Sequence, residues 1–118
     1  MDSSAFDKYL PYIDVNDGTK RLMGNRAIYL SIIQKFDSAG LVEAVTKAAE
    51  AHDYEALRIA AHTLKGAAAN LSLSRFQEIS AKIEESAKTG EAPDSLLDEL
   101  QSVFSFTSKA ISELVSET

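Results

Sequence analysis

From Leu22 to Leu114 the apolar residues recur three and four positions apart, and almost nowhere do they alternate. A period of 3.6 places such residues on one stripe of a helix, whereas a strand requires a period of two. The chain is therefore expected to be all-α. Five glycines and two prolines in 118 residues leave few interruptions, so each one that falls between periodic stretches reads as punctuation.

After a short opening segment ending near "LPYID", the stretch "DGTKRLMGNRAIYLSIIQKF" predicts a short helix and a longer one divided at Gly24, with Leu22, Tyr29, Ile32, Ile33 and Phe36 on one face. Gly40 marks the next break, and "LVEAVTKAAEAH" carries Leu41, Val45, Ala48 and Ala49 inward. Asp53 is placed to cap a helix running to about Leu71, with Glu55 near its positive end. Ser74 and Gln77 read as a capping box that opens a helix with Phe76, Ile79, Ile83 and Ala87 inside, ending at Gly90. Beyond "GEAPD" a last helix from about Asp94 to Val115 is expected to bury Leu97, Leu100, Phe104, Ile111 and Leu114 or neighbours of these. Connections this short imply antiparallel neighbours. The expected architecture is one domain over residues 1–118: an antiparallel up-and-down four-helix bundle, its core at about 41–116, with additional short N-terminal helices packed on one end. Tyr29, Phe36, Phe76 and Phe104 at helical spacing read as core, and Glu99 and Glu113 as a solvated face.

Composition then narrows the chemistry. The chain has no cysteine, which removes disulfides, thiolate zinc sites and thiol nucleophiles and makes a reducing cytoplasm the natural compartment. A formal charge of -6 has the wrong sign for neutralising nucleic-acid phosphates. No apolar run approaches the roughly 20 residues needed to span a bilayer, so no membrane contact is expected. A monomer is the default reading.

One helix carries a residue that its own core does not explain. Leu57, Ala61, Leu64, Ala68 and Leu71 fall within roughly 40° of one direction at about 100° per residue. On the same projection His62 lies about 140° from that seam and Gly66 about 180° from it. Ile59, Ala69 and, if the helix extends that far, Leu73 share the outer face, with Glu55, Arg58 and Lys65 toward its edges. A small apolar patch around an exposed titratable residue suits docking, and an interior glycine on the exposed side costs about 1 kcal/mol relative to Ala. An imidazole can attack phosphorus as a neutral nucleophile and hand the phosphoryl group onward, and Lys65 at i+3 offers a cation beside it. There is no Gly-rich phosphate cradle, no Walker lysine and no acidic cluster suited to Mg²⁺. The chain is therefore suited to carry a phosphoryl group, without ATP-dependent kinase activity of its own.

"AHTLKGAAANL", preceded by "DYEALRIA" and followed by "FQEISAKIEESAKTG", resembles the histidine-containing phosphotransfer (HPt) domains of multistep phosphorelays, and "DGTKRLMGNRAIYLSIIQKF" is similar to that family's N-terminal helical segment. The resemblance implies a helical bundle whose exposed histidine accepts a phosphoryl group from the aspartyl phosphate of one receiver domain and passes it to the aspartate of another. The partners implied are receiver domains of hybrid histidine kinases and response regulators. His62 matches the phospho-acceptor, Lys65 the phosphate-stabilising lysine and Gly66 the glycine that leaves room for the receiver. Glu84 falls where members often place Glu or Gln near the histidine ring. The domain would bind no cofactor or metal, the Mg²⁺ belonging to the receiver.

Two positions depart from the pattern: Ala69 and Ser72 stand where many members have glycine, which is expected to narrow the docking face and the helix end. Two other readings bear on His62. A non-phosphorylatable adaptor would keep only the bundle and its docking face (Arg58, Ile59, Ala69, Leu73). A metal or haem site shared by His52 and His62 lacks a carboxylate companion set and ranks last.

Overall fold

Asp14, Asn25, Asp37 and Asp53 each accept a hydrogen bond from the backbone N–H three residues on, at 3.0–3.1 Å. Caps of this kind contribute about 0.5–2 kcal/mol each, and they start four consecutive helices. The computed structural model describes residues 3–117; residues 1, 2 and 118 of the expected domain lie outside the described residues. A 3-10 helix, Ser3–Tyr9, is followed by α1 (Val15–Arg21), α2 (Arg26–Lys35), α3 (Ser38–Glu50), α4 (Tyr54–Asn70), α5 (Ser74–Lys88) and α6 (Asp94–Ser116). No strand occurs among the described residues. The protein is all-helical.

Two helix starts differ from the sequence expectation. α3 begins before Gly40, because the Asp37 side chain takes the Gly40 N–H and draws that residue into the first turn. A Cβ at Gly40 would collide with the Asp37 carboxylate, so this glycine serves the cap rather than a break. α5 has Leu73 at its N-cap and no side-chain cap bond. Ser74 is thus already helical, and the capping box with Gln77 does not form.

α3, α4 and α5 end alike. The residue after each C-cap is left-handed, His52 at φ 53°, Ser72 at 57° and Gly90 at 74°. The next N–H then returns to a carbonyl five residues back: Asp53 to Ala48 at 3.0 Å, Leu73 to Ala68 at 2.9 Å, Glu91 to Ser86 at 3.0 Å. This Schellman geometry favours glycine. His52 and Ser72 adopt it without that freedom, at a cost of roughly 1–2 kcal/mol each.

α4 packs between α3 and α5, and α6 closes against both α5 and α3. Their shared core holds Val45, Leu57, Ala61, Leu64, Phe76, Ile83 and Leu100 among others. The expected faces are turned slightly in places. Val42 is buried on α3 while Leu41 stands half out, and Val103 and Thr107 join Leu100 and Leu114 as the buried residues of α6 while Leu97, Phe104 and Ile111 are only partly covered. On α2, Tyr29 and Ile33 make the inward contact and Ile32 is exposed.

The N-terminal segment is tied down at the α4–α5 turn. The Tyr29 hydroxyl donates to the Leu71 carbonyl at 2.6 Å, the Asp14 N–H donates to the Ser72 carbonyl at 2.9 Å, and the Ser72 hydroxyl donates to Asp17 Oδ2 at 2.6 Å. Burial, reinforced by Asp14 and Asp17, pushes the Tyr29 phenol well above its usual range, so it stays a donor. Lys8 Nζ and the Tyr9 hydroxyl both reach the Glu117 carboxylate at 2.7 Å. Phe36, just past α2, meets Phe76 edge-on with ring centroids 6.4 Å apart.

Candidate functional site

Because α4 turns Leu57, Ala61, Leu64 and Ala68 fully inward, its 3.6-residue repeat turns His62 outward, toward the side facing α5. The His62 side chain is 64% exposed. From α5, one residue after the core position Ile83, Glu84 rises into the crease between the two helices with its side chain only 7% exposed. Both of its oxygens are engaged: Oε2 lies 3.0 Å from His62 Nδ1 and Oε1 accepts from Lys65 Nζ at 2.6 Å. His62, Lys65 and Glu84 therefore form one constellation across α4 and α5.

The charge state follows from the geometry. The hydrogen bond from Lys65 holds the Glu84 carboxyl below the usual carboxylate range against the opposing effect of burial, and His62 adds to it. An ionised carboxylate can only accept. The proton of a neutral His62 thus sits on Nδ1, and the lone pair is left on Nε2 at the exposed side of the ring.

Gly66 lies one turn beyond His62, and a Cβ there would meet nothing within 4 Å. The chain's own packing does not require a glycine at this position. Ile59 is exposed, Ala69 is half-buried, and Arg58 is half-buried and paired with Glu55 at 2.7 Å. Leu73 does not belong to this face. α4 stops at Asn70, the chain turns, and Leu73 is fully buried in the core beneath the α4–α5 turn. Ser72 is buried too, with its hydroxyl on Asp17, so it narrows no docking surface.

Beside Ile59 the outer face of α4 falls into an apolar groove against α3, about 380 Å³ in volume, lined by Leu41, Ala44, Ala48, Ala56, Ala60 and Thr63. Sequence reasoning stopped at Ile59 and missed it. The signal was present as alanines on the facing sides of two successive helices, which leave a trough where larger side chains would close it. His52 lies just past α3, and His62 stands more than two turns along α4, roughly 12 Å farther up the axis. Among the described residues no group of three His, Asp or Glu side chains is arranged to hold a metal ion.

The family model for the Hpt domain matches residues 35–114, from the last residue of α2 to the last turn of α6. The chain belongs to the Hpt domain family. No curated protein and no solved structure matches it. The matched span holds α3 to α6 and the whole His62, Lys65, Glu84 constellation, whereas the stretch "DGTKRLMGNRAIYLSIIQKF" lies almost entirely outside it. Membership assigns this Hpt domain to phosphotransfer in two-component signalling, in which Hpt domains interact with receiver domains. No helix among the described residues is long and apolar enough to cross a membrane.

Proposed function

We propose that this Hpt domain is a relay intermediate: His62 accepts a phosphoryl group from the aspartyl phosphate of one receiver domain and delivers it to the aspartate of another. The observation that carries this reading is the exposed imidazole whose Nδ1 is held by the ionised Glu84, which leaves Nε2 as the free lone pair. Nε2 attacks phosphorus as the P–O bond to the donor aspartate breaks, and the electron pair leaves with the carboxylate. The receiver supplies Mg²⁺ and its own acidic pocket. His62 supplies a positioned nucleophile for in-line transfer through a loose transition state. Lys65 stands within reach of the transferred group, and Gly66 leaves open the approach that the receiver's loops require.

The docking face in this reading runs from Arg58 and Ala69 over Ile59 into the groove between α3 and α4, an apolar surface beside the nucleophile. Behind it, α3 to α6 act as an up-and-down four-helix bundle that carries the short N-terminal helices at one end. Three features support this arrangement: short connections, the α3–α6 contact, and ties of the N-terminal segment to both the α4–α5 turn and Glu117.

Incubation with a phosphorylated receiver, followed by intact mass and an acid-lability test, checks the reading. Wild type should gain one acid-labile phosphoryl group and His62→Gln none. Equal gain in both proteins would overturn the assignment of His62.

A further inference from the structure

Glu84 does more in this structure than orient a ring, because its two oxygens serve two groups that respond oppositely to phosphorylation. In the resting protein Lys65 takes Oε1 and His62 Nδ1–H takes Oε2. A phosphoryl group on Nε2 brings a second, stronger acceptor to the same lysine. The Lys65 ammonium has three N–H donors and can bridge both, but as it shares its charge with the phosphoryl oxygens it partly frees Glu84, which it had kept weakly basic. The freed carboxylate then binds the Nδ1 proton more tightly, at the moment when the ring has become a phosphoimidazolium. The inference rests on the reading that His62 carries the phosphoryl group.

We propose that Glu84 is a proton-retaining positioning residue: it keeps the Nδ1 proton on His62 through both states, so that transfer in and out of this domain needs no proton movement. On entry the Nε2 lone pair forms the N–P bond, the P–O bond to the donor breaks, and the ring becomes cationic with its proton still on Nδ1. On exit a carboxylate oxygen of the acceptor forms the new O–P bond, the N–P pair returns to Nε2, and the ring leaves neutral. The leaving group is therefore imidazole rather than the far more basic imidazolate.

The other charged groups that feel Glu84 among the described residues are already engaged. From α4 come Lys65 itself and Arg58, which is paired with Glu55 at 2.7 Å; from α5 comes Lys88, paired with Glu85 at 2.9 Å. Among the described residues it is Glu84 that hydrogen-bonds the ring, so the carboxylate's effect is separable from theirs. Glutamine at this position would still offer an oxygen to Nδ1–H at the same place but would not hold a proton by charge.

Potassium phosphoramidate, a small donor that requires no receiver, would be used to phosphorylate the full chain as wild type, His62→Gln, Glu84→Gln and Lys65→Met. Nitrogen-edited NMR would follow the Nδ1 proton of the phosphorylated ring against pH, and transfer to one receiver would be timed over the same range. Wild type and Lys65→Met should retain the proton to a pH about one unit higher than Glu84→Gln. At alkaline pH the wild type should transfer up to about tenfold faster than Glu84→Gln. Lys65→Met should shorten the lifetime of the phosphorylated state without lowering the proton midpoint. Phosphorylation at His62 with coincident pH profiles for wild type and Glu84→Gln would overturn the proposal alone. Failure of His62 to gain phosphate beyond the His62→Gln background would overturn the relay reading and this inference with it.

Discussion

Gly18 in α1 and Gly66 in α4 are both helical glycines, and the structure treats them oppositely. A Cβ at Gly18 would run into the ring of Tyr29, whereas a Cβ at Gly66 would meet nothing within 4 Å. The first belongs to a region built for stability: Gly18 admits Tyr29, and Tyr29 ties α2 to the end of α4 through the Leu71 carbonyl. The second belongs to a region where the chain gives up helix propensity and gains no internal contact. A residue that the fold leaves unexplained is best explained by something outside the chain. In the proposed reading that is a receiver approaching His62.

Gly18→Val should produce the largest stability change that bears on this contrast, a loss of about 1–3 kcal/mol from overpacking against Tyr29. Chemical denaturation would show it as a lowered midpoint, and the folded fraction should still accept phosphate at His62. Next comes the latch at the α4–α5 turn. Ser72→Ala removes the donor to Asp17 and keeps the left-handed strain, so it should cost about 1–2 kcal/mol; Ser72→Gly relieves that strain and should cost less. An Ala variant as stable as wild type would remove the hydroxyl from the account, and one as stable as the Gly variant would remove the strain. Gly66→Leu should leave stability unchanged or raise it by up to about 1 kcal/mol, while slowing transfer from receivers by blocking approach. Stability lost to the same extent as in Gly18→Val would erase the distinction between the two glycines.

The smallest effect concerns acid. The Ser72 hydroxyl, with help from Arg21, holds the Asp17 carboxyl below its ordinary range. A carboxyl lowered in the folded state contributes stability that is complete above the unfolded value and is lost as pH falls through the folded one. Wild type should therefore exceed Asp17→Asn in stability at pH 6, and the gap should close from roughly pH 4 downward. Thermal melts of both proteins across that range would test it, and a gap independent of pH would mean that the Asp17 charge plays no part in the latch.

What could be read before the structure depended on range along the chain. The Asp53 cap, the core seam of α4 and the outward direction of His62 are set within one or two helical turns, and period and capping chemistry expose them directly. The position of Glu84 near the ring came from family resemblance. Its second bond to Lys65 was not anticipated, because a lysine four rotamers long finds its partner only once α5 is packed alongside. Leu73 was assigned to the outer face on the assumption that α4 continues; the turn after Asn70 reverses it into the core. Gly40 and Ser74 were plausible punctuation, but Asp37 supplied a better cap for α3, while α5 starts at Leu73 without one. The contacts of Tyr29 with Leu71 and of Ser72 with Asp17 join residues 42 and 55 positions apart, and no local pattern announces such pairs.

Lys8 and Tyr9 grip Glu117, so both ends of the described chain meet at the pole of the molecule where α4 turns into α5. His62 stands eight residues before Asn70, about 12 Å back along the axis. A tether fixed to either end would pivot from that pole and sweep the space beyond it. The flank on which His62 sits would remain clear, and a partner could arrive broadside whichever end was leashed.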